Sequence, residues 1–539
     1  MKNCKLCGVG FEISLEDQQY LEIHEVNYPQ YCRLCSWQRK LSFENEYRIY
    51  KRNCDATGKS MISVYKEEAL FPVYEKEYWT SGGWELPEMD IDVHKPFFEQ
   101  YFEFSKVVPR PSTNRVGAEN SEYAHLIFDS KSCYLSFQVF QSERLIGCYR
   151  VVRCKDCANS FFCIESELLC ECVNCSNCYN LKFSEDCENC SDGAFLYDCK
   201  GCRNCFMCWN LRNKEYCFMN EKYSKEEYVQ KIVEYNLGLL EGQKKAKSVF
   251  ENLKEKFVVK ALHSINCENC FGDYLVGCKD CNEIYFSDGC RDSKNILRGT
   301  EDINSFDAVV GGKIELCYNL LQPGWCYKCA FTMSCNRCNE VYLSENCDDC
   351  NECFGCISLK RGKFCIFNKR YEEAEYHRLK DEIFKELREG NGFDDFFDPT
   401  RSPFNYDETI ANLYFPKVDV DGVDKDFGDF CCVGCGKGLT FAEAEKKFYE
   451  KIGLGLPDKC FYCRIMDLAR PYSVVQLRNC KCSACGNEIF TGVSEKGKGK
   501  IYCEKCYLQE IYGFTTKLVR FWVEKRLITF LCLISDEFY

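Results

Sequence analysis

The chain has 539 residues, of which 47 are cysteine and only five are histidine, and its formal charge is −13. The odd number of cysteines excludes complete pairing within the chain, and a hydrophobic fraction of 46% excludes a small disulfide scaffold without a core of its own. No signal peptide and no apolar run long enough to span a bilayer is visible, so we expect a cytoplasmic protein with no membrane span.

The first predicted element, residues 1–36, is a zinc ribbon (ribbon 1). It contains two C-x-x-C pairs, and Gly8 follows the first of them. Glycine adopts the positive φ that such a knuckle needs, and two knuckles supply the four thiolates that Zn²⁺ prefers. The candidate ligands are Cys4, Cys7, Cys32 and Cys35.

Residues 37–147 are predicted to form a globular domain rich in aromatic residues. Across residues 36–60, six Lys/Arg stand against three Asp/Glu, with Trp37 and Tyr47 among them. Basic and aromatic residues beside a zinc module are typical of single-stranded nucleic-acid binding, although a solvated amphipathic helix has the same composition. Both interpretations remain open on the sequence alone.

Two cysteine-rich arrays follow, array 1 (residues 148–222) and array 2 (residues 264–370). The eight cysteines from Cys178 to Cys217 recur with the same spacing from Cys326 to Cys365. Steps of nine and three residues add to a twelve-residue repeat, which is typical of a β-solenoid with stacked rungs. In the nine-residue step, Ile284 and Phe286 alternate with their neighbours, the pattern of a half-buried strand.

The array cysteines admit three interpretations. They form an inward ladder of small apolar thiols, bind further zinc ions, or form disulfides. No glycine follows the second cysteine of a central C-x-x-C pair, unlike the first knuckles at the two ends. The strict period and this absence favour the thiol ladder.

Helices are predicted after each array, in residues 223–263 and 371–390. The first begins with a capping box at Ser224 and Glu227. Residues 391–430 carry ten Asp/Glu, three Lys/Arg and three prolines. We therefore predict an acidic linker there.

Two more zinc ribbons are predicted, ribbon 2 (residues 431–470) and ribbon 3 (residues 478–514), before a hydrophobic tail (residues 515–539). Ribbon 2 repeats ribbon 1 at a constant distance along the sequence, so that Cys4 corresponds to Cys432 and Cys35 to Cys463. We call this distance the ribbon offset. The candidate ligands are Cys432, Cys435, Cys460 and Cys463 in ribbon 2, and Cys482, Cys485, Cys503 and Cys506 in ribbon 3. Cysteines that fit no group are Cys54, Cys431, Cys480 and Cys532.

The segment from Cys432 to Arg464 resembles the zinc-binding ribbon domain found in many bacterial proteins. The residues that carry the resemblance are C-x-x-C-G, Phe441, Glu443, Glu445, Phe448, Tyr449, Gly453, Leu454, Pro457 and the second C-x-x-C-R. The resemblance implies that the four cysteines bind zinc. From Cys4 to about Phe514, the chain is also similar to a family of large, cysteine-rich, uncharacterised proteins of candidate-phyla bacteria, which implies an architecture and no activity.

The sequence thus predicts a multidomain α+β protein, mainly β, with β-solenoid-like repeats flanked by zinc ribbons. Its expected cofactor is Zn²⁺ at about three structural sites, with more conceivable in the arrays. Three filled sites would move the formal charge from −13 to about −19. We expect a scaffold that binds a protein partner in preference to nucleic acid, and no enzyme. The alternatives are a thiol redox enzyme or metal store, and a single-strand binder.

Overall fold

The computed structural model describes residues 1–23, 27–312, 324–326, 336–338, 343–345, 347, 350–390, 396–417 and 431–513. The chain divides into two compact units. The described parts of Met1–Thr113 and His263–Pro416 belong to unit 1, and those of Asn114–Leu262 and Lys417–Phe521 belong to unit 2. Both units are mixed α/β, and most of their regular elements are strands.

Eleven α-helices lie in the described part of the chain. In chain order they are α1 (Leu15–Ile23), α2 (Arg33–Leu41), α3 (Lys76–Ser81), α4 (Phe97–Val107), α5 (Lys225–Val233), α6 (Leu240–Leu253), α7 (Glu373–Glu389), α8 (Ala411–Tyr414), α9 (Glu443–Lys451), α10 (Phe461–Ala469) and α11 (Glu504–Tyr512). Ser224 caps α5 through the predicted box, because its side chain accepts the N–H of Glu227 and the Glu227 carboxylate accepts the N–H of Ser224.

The strands are short and fall into small sheets. Outside the arrays they are β1 (Lys2–Asn3), β2 (Gly10–Phe11), β3 (Tyr50–Asn53), β4 (Ser60–Ser63), β5 (Val73–Tyr74) and β6 (Arg110–Pro111). Around array 1 they are β7 (Arg115–Val116), β8 (His125–Phe128), β9 (Lys131–Tyr134), β10 (Phe137–Phe140), β11 (Glu143–Ile146), β12 (Tyr149–Val152), β13 (Lys155–Ala158), β14 (Phe161–Ile164), β15 (Tyr179–Lys182), β16 (Ser191–Tyr197), β17 (Arg203–Trp209), β18 (Glu215–Phe218) and β19 (Glu221–Lys222).

The remaining strands belong to array 2 and to its flanks. They are β20 (Val258–Lys260), β21 (Ser264–Ile265), β22 (Glu268–Val276), β23 (Lys279–Asp288), β24 (Lys294–Leu297), β25 (Gly324–Cys326), β26 (Asn336–Cys338), β27 (Leu343–Glu345), β28 (Asn351–Ile357), β29 (Lys363–Ile366) and β30 (Lys369–Arg370). Ribbon 3 supplies the last three, β31 (Arg478–Lys481), β32 (Glu488–Thr491) and β33 (Lys500–Tyr502).

Strands of array 1 pair in parallel with partners twelve residues away. Phe137 of β10 pairs with His125 of β8 on one side and with Tyr149 of β12 on the other. Between these strands, single residues also pair in parallel with residues twelve positions away, as Glu167 does with Tyr179. The pairing already begins at Arg115 of β7, upstream of residue 148 where the cysteines become dense. Apolar and serine side chains replace cysteine in these first turns.

In the described part of array 2, most parallel pairs keep the twelve-residue step, but the pairs of β21 with β22, the first pairs of β22 with β23 and the first pair of β27 with β28 are eleven residues apart. Cys270 pairs with Cys281 only eleven residues on, and a register shift follows Phe271. Gly272 allows this shorter turn, since a Cβ built on it would lie 1.7 Å from the carbonyl oxygen of Ile284. The side chains of the predicted array members Cys326, Cys335 and Cys338 lie outside the described residues.

Every third residue of the arrays faces the core. Cys175 and Cys178 belong to one buried cluster, and the residues before them, Asn174 and Asn177, have positive φ. The left-handed conformation at each third position turns the chain, and asparagine tolerates it better than most residues.

The predicted two-residue alternation in array 2 is therefore wrong. Ile284 belongs to the buried cluster of array 2, but Tyr285 beside it is also fully buried, and Phe286 stacks on Tyr274 instead of entering that cluster. The three-residue period, with Glu283 in the left-handed conformation, places the side chains differently from a pleated strand.

Helices cover the outer faces of the arrays within each unit. Phe250 of α6 lies against Phe195 of array 1, with ring centroids 5.6 Å apart. Phe384 of α7 lies against Phe354 of array 2 at the same distance. The helices after the arrays thus bury aromatic side chains that the turns present outward.

Part of the predicted acidic linker is packed. Ile410 and Ala411 are fully buried, and the Tyr47 hydroxyl donates to the carbonyl of Thr409 at 2.7 Å. Residues 396–417 therefore pack through their apolar side chains, although the segment is acidic. This part of the chain is not the linker that the sequence predicted. The rest of that linker, 391–395 and 418–430, and the tail lie outside the described residues. Among the described helices, none is both long and apolar enough to cross a bilayer.

Candidate metal centres

The structure brings the twelve predicted ligands together in three groups of four. Within each group, the four sulfur atoms lie within 4.8 Å of one another. The groups are Cys4, Cys7, Cys32 and Cys35; Cys432, Cys435, Cys460 and Cys463; and Cys482, Cys485, Cys503 and Cys506. Each group could hold a metal ion, and the described residues contain no other group of His, Cys, Asp or Glu with this spacing.

The first C-x-x-C pair of each ribbon forms a tight turn. In ribbon 1, the N–H of Gly8 donates to the carbonyl of Cys4 at 2.9 Å, and the N–H of Cys4 donates to the carbonyl of Val9 at 2.9 Å. Gly8 has a φ of 73°, and no atom lies within 4 Å of a Cβ built there. Backbone conformation, not space, thus explains the glycine, and Gly436 and Gly486 have φ values of 72° and 75°.

The second pair of each ribbon opens a helix. Cys32, Cys460 and Cys503 are the N-cap residues of α2, α10 and α11. The partial positive charge of a helix N-terminus favours negative sulfur at these positions. The helix also fixes the two cysteines of the pair on one turn, so the fold prepares their geometry.

Backbone N–H groups point at the sulfurs of the ribbons. The Sγ of Cys432 accepts the N–H of Cys460 at 3.1 Å, and the Sγ of Cys482 accepts that of Cys503 at 3.3 Å. Burial opposes ionisation of Cys482, but the surrounding N–H groups outweigh burial and lower its pKa to about 6. Cys4 has the same balance and a pKa of about 6. Cys4 and Cys482 thus favour the thiolate, the form that binds metal. Burial raises the pKa of Cys35, and hydrogen bonds with neighbouring thiols raise those of Cys463 and Cys506.

The thiols of the arrays meet carbonyl groups instead. Cys190 donates to the carbonyl oxygens of Glu188 at 3.4 Å and Cys199 at 3.2 Å. Burial raises the pKa of Cys133 to about 11 and that of Cys148 well above its usual value. A carbonyl oxygen stabilises a protonated thiol and repels a thiolate. Burial thus favours the neutral thiol at Cys133 and Cys148, whereas at Cys187 burial is outweighed by hydrogen bonds with neighbouring thiols, which lower its pKa to about 7.

Array thiols also contact one another. Burial and hydrogen bonds with neighbouring thiols raise the pKa of Cys175, whereas hydrogen bonds from Cys175 and Cys190 lower that of Cys178. No disulfide joins cysteines in the described part of the chain. The stack is thus a buried network of thiols, and a redox enzyme would need an exposed thiolate in its place.

Ribbon 1 is anchored on array 2 within unit 1. The rings of Trp37 in α2 and Tyr285 meet edge to face, with centroids 6.0 Å apart. Lys40 is buried and its Nζ lies 2.7 Å from the Asp307 carboxylate. Trp37, Lys40 and Tyr47 are at most 1% exposed. These three residues of the basic, aromatic segment pack inside unit 1. They are therefore not accessible to stack on bases or to contact phosphates of a single strand, as the sequence-based prediction required.

Ribbon 2 is anchored on array 1 within unit 2. Phe461, next to candidate ligand Cys460, stacks with centroids 5.5 Å apart on Phe137 of β10, in the turns that lead into array 1. Behind it, Arg464 forms a buried ion pair with Glu445 at 2.8 Å. Metal-binding turns and array contacts therefore share the same helix, α10.

Ribbon 3 also contacts array 1. The Tyr507 hydroxyl donates to Asp198 at 2.5 Å, and Arg212 pairs with the same carboxylate at 2.9 Å. Strand β33 pairs in parallel with β20. Ribbon 3 thus adds a strand and a buried polar network to unit 2.

Two functional residues escape the motif search. Asp17 of ribbon 1 pairs with Lys294 of array 2 at 2.6 Å, and Glu445, its equivalent under the ribbon offset, pairs with Arg464. Both acids are buried. The ribbon offset was the available signal, because an acidic residue on a short helix is otherwise expected to face solvent.

The cysteines outside both groups have separate surroundings. Cys54 is buried, while Cys431 and Cys480 are half-buried. None of these three belongs to a four-sulfur group. Cys532 lies outside the described residues.

Comparisons of the chain with protein-family models, curated proteins and solved structures give no match. The resemblances to a ribbon domain and to a candidate-phyla family therefore stay predictions. The four-sulfur groups are the feature of this chain that points to a function.

Proposed function

We propose that the chain is a zinc-binding scaffold. The observation that carries this proposal is one distance in each ribbon between a sulfur of the first pair and a sulfur of the second. It is 3.7 Å for Cys7–Cys32 and for Cys435–Cys460, and 4.0 Å for Cys485–Cys503. Tetrahedral zinc with Zn–S bonds of about 2.3 Å separates its sulfurs by about 3.8 Å. The donor set and its spacing both fit this ion.

The role of the zinc is structural. Four thiolates close the coordination shell and leave no position for a substrate or an activated water. Zinc would join the first turn of each ribbon to the helix that follows the second pair. In ribbons 1 and 2, that helix carries the contacts to an array, so metal binding and array packing stabilise each other.

The arrays serve as β-solenoid cores of the scaffold. The twelve-residue parallel register and the inward side chain at every third position support this assignment. Small thiols fill the narrow interior, and their carbonyl contacts keep them protonated. Ligand and array thiols both need a reducing environment, which agrees with a cytoplasmic protein.

The partner of the scaffold is a protein. Apolar side chains stand exposed at the tips of two ribbons, with Leu6 57%, Val9 60% and Val433 53% exposed. The formal charge of −13, more negative with zinc bound, opposes a nucleic-acid partner. Turns that hold metal would then present apolar residues in a fixed geometry.

Cobalt(II) titration of the metal-free chain tests the scaffold, since cobalt in a four-thiolate site absorbs visible light. We expect three equivalents to bind with thiolate spectra, and Cys7→Ser to remove one. The matched control is Cys431→Ser, which lies beside ligand Cys432 but outside every group. Absence of cobalt–thiolate absorption, or an equal loss in the control, would contradict the proposal.

A further inference from the structure

Residues 50–84 repeat the fold of ribbon 3 with only the first of its four cysteines. Both segments run strand, turn, strand, strand and helix: β3, β4, β5 and α3 in one, β31, β32, β33 and α11 in the other. The first two strands pair antiparallel in the same register, Asn53 with Ser60 and Lys481 with Glu488. Equivalent positions are related by the ribbon offset, the same shift that relates ribbon 1 to ribbon 2.

The hydrogen bonds of the turn match one by one. The N–H of Gly58 donates to the carbonyl of Cys54, and the N–H of Cys54 to that of Lys59, both at 2.8 Å; the two equivalent bonds of ribbon 3 are 2.9 Å. The N–H of Asp55 donates to the carbonyl of Val73 at 3.1 Å, and its equivalent measures 2.8 Å. Gly58 has a φ of 71°. The turn at Cys54 is therefore a metal knuckle in its backbone.

The ligand positions carry other side chains. Cys54 keeps the first position, and its sulfur accepts the N–H of Glu75 at 3.3 Å, the distance found between Cys503 and Cys482. Thr57, Glu75 and Tyr78 stand where ribbon 3 has Cys485, Cys503 and Cys506. A single thiol and a single carboxylate do not make a four-donor site.

An ion pair joins the two halves of this segment. The Nζ of Lys59 lies 3.1 Å from the Glu75 carboxylate, and the Thr57 hydroxyl donates to the same oxygen at 3.1 Å. The Glu75 side chain is only 12% exposed. We propose that residues 50–84 are a fourth ribbon in which the Lys59–Glu75–Thr57 contact takes the place of the metal ion. This inference rests on the proposed zinc sites of the other ribbons.

The fourth ribbon is then a metal-independent anchor in unit 1. Its strand β5 pairs in parallel with β6, where Val73 lies beside Arg110. Arg110 is buried and forms a two-pronged ion pair with Glu345 of array 2, one contact at 2.7 Å. Ribbon 1 would lose its contact to array 2 when metal is removed, whereas residues 50–84 would keep their pairing with β6, whose Arg110 reaches array 2.

Hydrogen exchange of the full chain with and without a zinc chelator tests this independence. Amides of residues 50–84 should keep their protection, while those of the three cysteine ribbons exchange at least tenfold faster in chelator. Ribbon 3 is the matched reference, because its backbone is equivalent. Equal loss of protection in residues 50–84 and ribbon 3 would overturn the inference.

Restoring the ligands is the second test. The variant Thr57→Cys/Glu75→Cys/Tyr78→Cys should raise the zinc content from three to four per chain, and Thr57→Ser/Glu75→Gln/Tyr78→Phe should leave it at three. Lys59 does not prevent this, because ribbon 2 combines Lys437 at the same position with four cysteines. If the triple-cysteine protein folds and still binds only three zinc ions, this inference is wrong and the proposed function stands. If the native protein binds no zinc, the proposed function is wrong. If the triple-cysteine protein does not fold, the exchange result decides.

Discussion

A cysteine sulfur in this chain meets one of two kinds of backbone group. Sulfurs of the ribbons accept N–H groups, as Cys482 does from Cys503, and this lowers the free energy of the thiolate. Thiols of the arrays donate to carbonyl oxygens, as Cys190 does to Cys199, and this stabilises the protonated form. Carbonyl contacts predominate in the arrays, although some array thiols also accept an N–H, as Cys208 does from Asn220.

Serine occupies the same inward position as cysteine in the arrays. Ser184 is fully buried, donates to the carbonyl of Lys182 at 2.9 Å and accepts the N–H of Leu196 at 3.1 Å. Cys190 likewise accepts the N–H of Cys202, at 3.4 Å. Either side chain therefore satisfies a buried backbone N–H.

We expect Ser184→Ala to destabilise unit 2 by about 1–3 kcal/mol, because it leaves the N–H of Leu196 without its acceptor. Ser184→Cys is the matched control and should cost clearly less, since a thiol can accept the same bond. Urea unfolding monitored by circular dichroism measures both. Equal destabilisation by the two variants would refute this role of the inward side chain.

Single residues were only partly predictable from the sequence. The twelve candidate ligands follow from spacing and glycine, because a four-thiolate metal site would impose both. The burial of Asp17 and Glu445 and the knuckle at Cys54 were not predicted, although Glu445 is one of the residues that resemble a ribbon domain. They become visible only when the ribbon offset is followed beyond the cysteines.

Short helices connect the metal sites to the arrays at the scale of elements. Helix α10 begins at ligand Cys460 and buries Phe461 against array 1, while Arg464 reaches Glu445 of α9. The ion pair holds the two ribbon helices together, with side chains 7% and 3% exposed. Its loss would loosen both the metal site and the array contact.

Glu445→Gln should destabilise unit 2 by about 3–5 kcal/mol, since it leaves Arg464 charged and buried without its partner. Glu443→Gln on the same helix is the control. Its pair with Lys446 is exposed, so its loss should leave the stability nearly unchanged. Thermal unfolding of the zinc-loaded proteins compares them, and similar midpoints would refute a structural role of the buried pair.

The repeat length was predictable, but the arrangement within the repeat was not. A spacing of nine and three residues gives twelve, and the strands pair at that step. The inward period of three arises because non-glycine residues such as Phe162 and Glu165 adopt the left-handed conformation. Their residue types do not predict that conformation. The pattern at Ile284 therefore resembled a pleated strand.

Each unit of the whole molecule combines the same parts. Unit 1 holds ribbon 1, residues 50–84 and array 2, and unit 2 holds array 1 with ribbons 2 and 3. Two groups of cysteines thus follow from one architecture: candidate metal ligands in the ribbons and buried, stacked thiols in the arrays. A metal store would need thiolates throughout the arrays, where carbonyl contacts oppose them.

The zinc content of the native chain, measured by elemental analysis beside a titration of accessible thiols, tests this account most directly. We predict three zinc ions per chain and array thiols that react only after unfolding. Seven or more zinc ions, or a native protein without zinc, would contradict the division between ribbons and arrays.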